Sequence, residues 1–165
     1  MLTRLPIRFW QNYDLTWRGC ERRGCLRVDI DAWHGMRLHV FNVHLGTGFL
    51  ERRAQARILL SDGILRRIDL DGPSVVAGDF NEWTRGLPSR LMSTHYDSVD
   101  VKLHTGKRAS YPGIFPVLHL DHFYFDQRLA LKGFRLYRSR QAILASDHLP
   151  LAADFVLKRE GRPLC

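Results

Sequence analysis

Four short segments carry groups that can do chemistry: Asn42-Val43-His44-Leu45, Gly78-Asp79-Phe80-Asn81, Leu120-Asp121-His122 and Ser146-Asp147-His148-Leu149-Pro150. Among the groups they supply are three carboxylates (Asp79, Asp121, Asp147), the imidazoles of His44 and His148 and the amide of Asn81. Such groups move protons and hold the oxygens of an anionic substrate. Each segment also has a plainer reading. Gly-Asp-x-Asn is common turn chemistry, because Asp and Asn hydrogen-bond their own backbone. Ser-Asp-His reads equally as a turn, and His44 as a structural histidine. The joint occurrence in one basic chain, each time at a strand end, is what sets them apart.

The elements that must position them follow from periodicity. Residues 26–32 alternate as a strand, with Leu26, Val28 and Ile30 on one face. His34-Gly35 turns the chain into a second strand over 36–44, and the two form a hairpin. On that second strand Leu38, Val40, Asn42 and His44 share one side and Arg37, His39, Phe41 and Val43 the other. Gly46-Thr47-Gly48 breaks the strand. Residues 49–68 then read as an amphipathic helix with Phe49, Ala56, Leu60, Ile64 and Ile68 on one stripe. Residues 73–77 form a short buried strand that delivers Asp79 at its end. A short helix is expected over 86–94, loops over 97–120, and strands over 120–125, 133–137 and 149–157. This alternation predicts an α/β fold with a mixed sheet. Arg52 and Gln55, on the first turn of the helix, belong either to the site crevice or to a solvated helix face.

Composition excludes several classes. With 45% hydrophobic and 25% charged residues, the 165-residue chain is neither disordered nor a coiled coil. It contains no apolar run long enough to cross a bilayer and no signal-peptide pattern, so a cytoplasmic location is expected. The net charge is +8, and 21 of the 25 basic residues are arginine. Arginine grips phosphate bidentately, which favours a phosphate-bearing partner, although a solvated basic surface gives the same count. Cys20, Cys25 and Cys165 fit no zinc spacing. A Cys20–Cys25 pair would leave Cys165 over, and reduced thiols are expected. His119 and His122 lie three apart on a strand and face opposite sides, so they do not converge on one ion. His34, His39, His95 and His104 show no ligand spacing.

The four segments, in this order and spacing, resemble the endonuclease/exonuclease/phosphatase superfamily of DNase I-like metal-dependent phosphoesterases, over about residues 2–157. The resemblance implies part of a two-sheet α/β sandwich with helices on its outer faces, forming a single domain over 1–165. It implies hydrolysis of a phosphodiester or phosphomonoester with Mg²⁺ or Mn²⁺. Asp79 would orient or deprotonate water, and Asn81 would hold a phosphate oxygen. His148, oriented by Asp121, would contact the phosphate, and His44 would add a hydrogen bond. Asp147 would be a metal ligand. Tyr111, in a loop that reaches the site in relatives, would stack on or bond the substrate. The family also has an earlier Asn motif and an earlier Gln-Glu motif, neither of which is present, and residues 1–7 resemble the segment that follows them. The chain therefore reads as a member truncated at its N-terminus. Exposed sheet surface, self-association, low stability and weak Mg²⁺ binding are the expectations that follow. The competing expectation is an inactive fragment that binds nucleic acid, an anionic lipid or another phosphate group. Nucleic acid, phospholipid headgroup and inositol phosphate all remain open as substrates.

Overall fold

The computed structural model describes residues 1–33, 35–83, 86–99 and 109–158. Two compact units are present. The first comprises residues 1–99 and 119–126, and the second the described parts of 100–118 and 127–165.

The first unit is built on a six-stranded mixed sheet. Its strands are β1 (Ile7–Asp14), β2 (Gly24–Trp33), β3 (Met36–His44), β4 (Ser74–Asp79), β5 (Asp97–Ser98) and β6 (Asp121–Phe125). Their spatial order is β1-β2-β3-β4-β6-β5. β3 and β4 are parallel, and the other neighbours are antiparallel. Helices α1 (Phe49–Leu59) and α2 (Leu87–Met92) belong to the same unit. Phe41 and Val43 of β3, Val76 of β4 and Tyr124 of β6 form a core with Leu59, Leu60, Ile64, Phe80 and Met92. The β2–β3 hairpin, and the division of β3 into a buried His39–Phe41–Val43 side and an exposed Asn42–His44 side, follow the alternation in the sequence.

The helix over 49–68 is a correction: α1 stops at Leu59. The Ser61 hydroxyl accepts the Gly63 backbone N–H, and Ser61 donates its own N–H to Ile58, so the chain turns there. Ile68 is fully exposed rather than on a buried stripe, and Phe49 is exposed as well. β1 has no counterpart in the periodicity reading.

A buried ion network lies on the helix-facing side of the first sheet. Arg27 binds Asp29 through two hydrogen bonds, of 2.8 and 2.7 Å, with both residues almost wholly buried. Its third arm reaches Asp69 at 3.1 Å, and its guanidinium lies over the Phe9 ring. In register with Asp29 on β3 is the fully buried His39, its Nδ1 2.8 Å from Asp29. His39 Nε2 accepts the Gly72 N–H. Cys20 is exposed and Cys25 buried, both free thiols. Burial pushes the Cys25 thiol up to about 12, so it stays protonated. Cys165, His34 and His104 lie outside the described residues.

The second unit holds an antiparallel pair, β7 (Leu129–Leu136) and β8 (Leu151–Leu157), joined through helix α3 (Arg140–Ala145). Ser139 caps α3 by accepting the Ala142 N–H. Periodicity foresees the two strands, although β7 starts four residues before the expected 133 and β8 two residues after the expected 149, and it does not foresee the one-and-a-half-turn helix between them.

Candidate active site

Parallel pairing of β3 with β4 puts His44 opposite Asp79, and antiparallel pairing of β4 with β6 puts Asp79 opposite Asp121. Directly paired residues project to the same face of a sheet. Three neighbouring strands thus end in one row, His44–Asp79–Asp121, at one end of the sheet. The strand that carries each member is apolar or β-branched enough to be buried (Phe41 and Val43 before His44, Val75 and Val76 before Asp79, Tyr124 and Phe125 after Asp121), which fixes the register. His44 Nε2 lies 3.6 Å from Asp79 Oδ2, and its side chain is about half exposed. That gap is too long for a hydrogen bond and suits an oxygen shared between the two groups.

Two devices hold Asp79 in place. Gly78 has φ +144°, and a Cβ there would sit 2.0 Å from the Val43 carbonyl oxygen, so only glycine lets β4 approach β3 this closely. Asn81, at positive φ, donates its backbone N–H to Asp79 Oδ1 at 2.7 Å. One carboxylate oxygen is thereby anchored. The Asn81 amide donates to the Leu45 carbonyl at 2.8 Å, tying the end of β4 to the end of β3. One of its two N–H bonds is spent on the scaffold, and its side chain is buried.

Of the other positioning residues, the motifs leave Gln55 and Arg52 open between crevice and solvated face and assign Glu51 and Glu82 no role. Gln55 is fully buried, and its Oε1 accepts the Gly46 N–H at 2.8 Å. It also donates to Glu51, which in turn accepts the Gly48 N–H. The solvated-face alternative for Gln55 is therefore overturned. Arg52 reaches the Thr47 and Gly46 carbonyls. These three side chains pin the Gly46-Thr47-Gly48 loop just after His44, and a Cβ on Gly46 would collide with the Glu51 carboxylate. Glu82, also buried, accepts from the Gly86 and Ser89 backbones and from the Ser89 hydroxyl, fixing the chain that follows Asn81. The available signal was the i, i+4 pair Glu51–Gln55 beside a Gly-x-Gly loop. His122 faces away from Asp121, packed edge-on against Phe80, and burial lowers its pKa despite its bond to the Glu82 carbonyl.

The second unit carries the remaining residues singled out in the sequence, Tyr111, Asp147 and His148. The Tyr111 and His148 rings lie 4.8 Å apart at a 45° tilt. Asp147 is exposed, and its backbone carbonyl accepts the Gly113 N–H at 2.7 Å. The Ser146 hydroxyl accepts the His148 N–H, and Leu149 N–H donates to the Ser110 carbonyl. The 146–149 turn is thus stitched to 110–113. His95 is exposed, and no three His, Cys, Asp or Glu residues cluster as a metal site among the described residues. No helix among them is long and apolar enough to cross a membrane.

Comparison with known proteins gives a consistent answer. The chain is 32% identical over 159 residues to the uncharacterized protein YbhP of Escherichia coli K12, matching 95% of this chain and 62% of YbhP. It therefore spans under two thirds of that relative's length. The fold matches a mannosyl-6-phosphatase of Bacteroides thetaiotaomicron at TM-score 0.72 and 17% identity, over 93% of this chain and 67% of that one. It matches D. rerio TDP2, complexed with single-stranded DNA product, at TM-score 0.69 and 16% identity, over 93% and 69%. Residues 1–148 match the sequence model of the Endonuclease/Exonuclease/phosphatase family, and the chain belongs to that family.

Proposed function

We propose that the chain hydrolyses a phosphate ester, diester or monoester, with Asp79 at the centre of the reaction. The observation that carries this reading is the in-register row His44–Asp79–Asp121 at the sheet end. Asp79, with Oδ1 accepting the Asn81 N–H and Oδ2 3.6 Å from His44 Nε2, orients a water and takes its proton. His44 Nε2, across the 3.6 Å gap, donates a hydrogen bond to an oxygen that gains charge as the ester breaks. The remaining Asn81 N–H holds a phosphate oxygen. His148 keeps the phosphate-contacting role and Asp121 the orienting role that the resemblance implies, with Tyr111 as a substrate-binding neighbour of His148. Substrate class follows from the relatives' names only as far as phosphate esters. The Arg-rich surface is consistent with an anionic partner, and the free thiols with a reducing compartment.

The donor chemistry fits a hard dication. Asp147 offers an exposed carboxylate on a braced turn, and Mg²⁺ takes one or two carboxylates plus water and substrate oxygens. Bound there, Mg²⁺ or Mn²⁺ would neutralise charge on the phosphoryl oxygens. With no group of three such ligands among the described residues, weak binding is expected, and calorimetry that finds a micromolar Mg²⁺ site would contradict it. That same sparse set favours a second reading, a phosphate-binding module without turnover.

Hydrolysis of bis(p-nitrophenyl) phosphate and of p-nitrophenyl phosphate, with Mg²⁺ and with EDTA, separates the two. Activity that falls about 10²–10⁴-fold in both Asp79→Asn and His148→Ala supports catalysis at this site. Activity that survives both substitutions overturns the assignment. No activity, with phosphate binding retained, establishes the binding module.

A further inference from the structure

The turn over residues 111–118 displays apolar side chains to solvent in a held conformation. Ile114 is 77% exposed and Phe115 75%. On the neighbouring helix α3, Leu144 is 77% exposed. These three, with Pro112 and Ile143, line one open groove of about 460 Å³. Scattered exposed apolar residues need no explanation, but several converging on one groove do.

The turn is braced rather than frayed. The Tyr111 carbonyl accepts the N–H groups of both Val117 and Leu118 at 2.8 Å. The Ser110 and Tyr111 N–H groups return to the Leu118 carbonyl. The Gly113 N–H is held by Asp147, and Arg138 donates to the Ile114 carbonyl at 3.0 Å. Such bracing keeps Ile114 and Phe115 from folding back onto the unit.

Charge selects the occupant. The described part of this unit carries six basic residues (Arg128, Lys132, Arg135, Arg138, Arg140, Lys158) and two acidic ones, Asp147 and Asp154. Asp154 is paired with Arg135. Arg138 is bonded to the tip itself, and Arg140 opens the helix that carries Leu144. The groove's one charged lining residue is Asp147, but apolar tips with Arg138 bonded to their backbone and Arg140 at the start of the adjoining helix match a surface that is apolar inside and anionic at its rim. We infer that this face docks on an anionic lipid surface, Ile114, Phe115 and Leu144 entering the acyl boundary and Arg138 and Arg140 meeting headgroup phosphates. A nucleic acid fits less well, because base stacking needs aromatic platforms and only Phe115 among the tip residues supplies one.

The test is cosedimentation of the full chain with phosphatidylcholine vesicles, with and without one quarter phosphatidylglycerol, at low and high salt. Binding is expected to the anionic vesicles and to weaken with salt. It falls at least about tenfold in Ile114→Ser/Phe115→Ser and about fivefold in Arg140→Gln. Each of these sites is exposed, and melting temperatures within a degree or two of wild type establish that the variants fold. Equal binding by the double variant and wild type, or no vesicle binding at low salt, overturns the inference. Single-stranded DNA bound through the same residues in preference to vesicles does so too, as does a change of oligomeric state in the double variant. None of these outcomes depends on turnover at Asp79.

Discussion

Arg27 and Asp29 are the clearest instance of residue chemistry that a hydrophobic pattern conceals. Both project to the helix side of β2, where an alternating strand is expected to bury aliphatic groups. Burial alone would push the Asp29 carboxyl up, but the hydrogen bonds from Arg27 and His39 more than offset this and hold it below its ordinary value. The hydrogen bond from Arg67, aided by Arg27 against slight burial, holds Asp69 at about 2. A carboxylate whose pKa falls on folding adds stability above its unfolded pKa, near 4, and loses it as pH drops toward the folded value. The chain therefore loses this stabilisation between about pH 4 and pH 2 and is insensitive to it at neutral pH. Asp29→Asn leaves Arg27 buried with its main partner gone and costs about 3–5 kcal/mol at pH 7, read from urea denaturation. The same variant has a flatter acid limb than wild type. A loss below about 1 kcal/mol, or an unchanged acid limb, contradicts the role given to this pair.

At the scale of elements, the site depends on how closely β4 approaches β3. Gly78→Ala places a Cβ 2.0 Å from a backbone carbonyl, which cannot rotate away, at a φ that L-residues rarely adopt. The strands must part, at a cost of about 3 kcal/mol, and His44 and Asp79 lose their register. A urea midpoint within error of wild type would show that the close approach does not matter. The ends of β3 and β4, and hence the placement of His44 and Asp79, were legible because alternation stops abruptly at Gly46 and a Val-Val run stops at Gly78. The length of α1 was not. Its apolar stripe continues past Leu59, yet one serine hydroxyl bonded to the Gly63 N–H diverts the backbone, a local event that periodicity averages over. β1 escaped notice because Phe9 and Trp10 are adjacent and apolar on both faces. An edge strand can carry such a sequence where a half-buried strand cannot. The Glu51–Gln55 brace was hidden because polar residues on an amphipathic helix are assigned to solvent by default.

At the scale of the whole molecule, charge and apolar exposure oppose each other. β1 lies at one edge of its sheet, with Ile7, Phe9 and Trp10 between 40% and 65% exposed. Edges of this kind are usually blunted by a charge or a proline. Here the one charge inside the apolar run, Arg8, is drawn to Asp31 at 2.6 Å. The edge is thus competent to pair with another chain, while a net charge of +8 repels a second copy. Salt screens the repulsion and leaves the apolar contact in place. Self-association is therefore expected to strengthen as salt rises, and sedimentation velocity shows a concentration-dependent shift that grows between low and moderate ionic strength. Trp10→Lys removes apolar area and adds a charge at the edge, and returns the chain to monomer at every salt concentration. The salt dependence separates this surface from the arginine-rimmed groove of the second unit, where lipid binding weakens under the same change. A monomer at all concentrations and salts, with an unchanged melting temperature, would mean that the β1 edge is already protected by Arg8 and the strand's own twist.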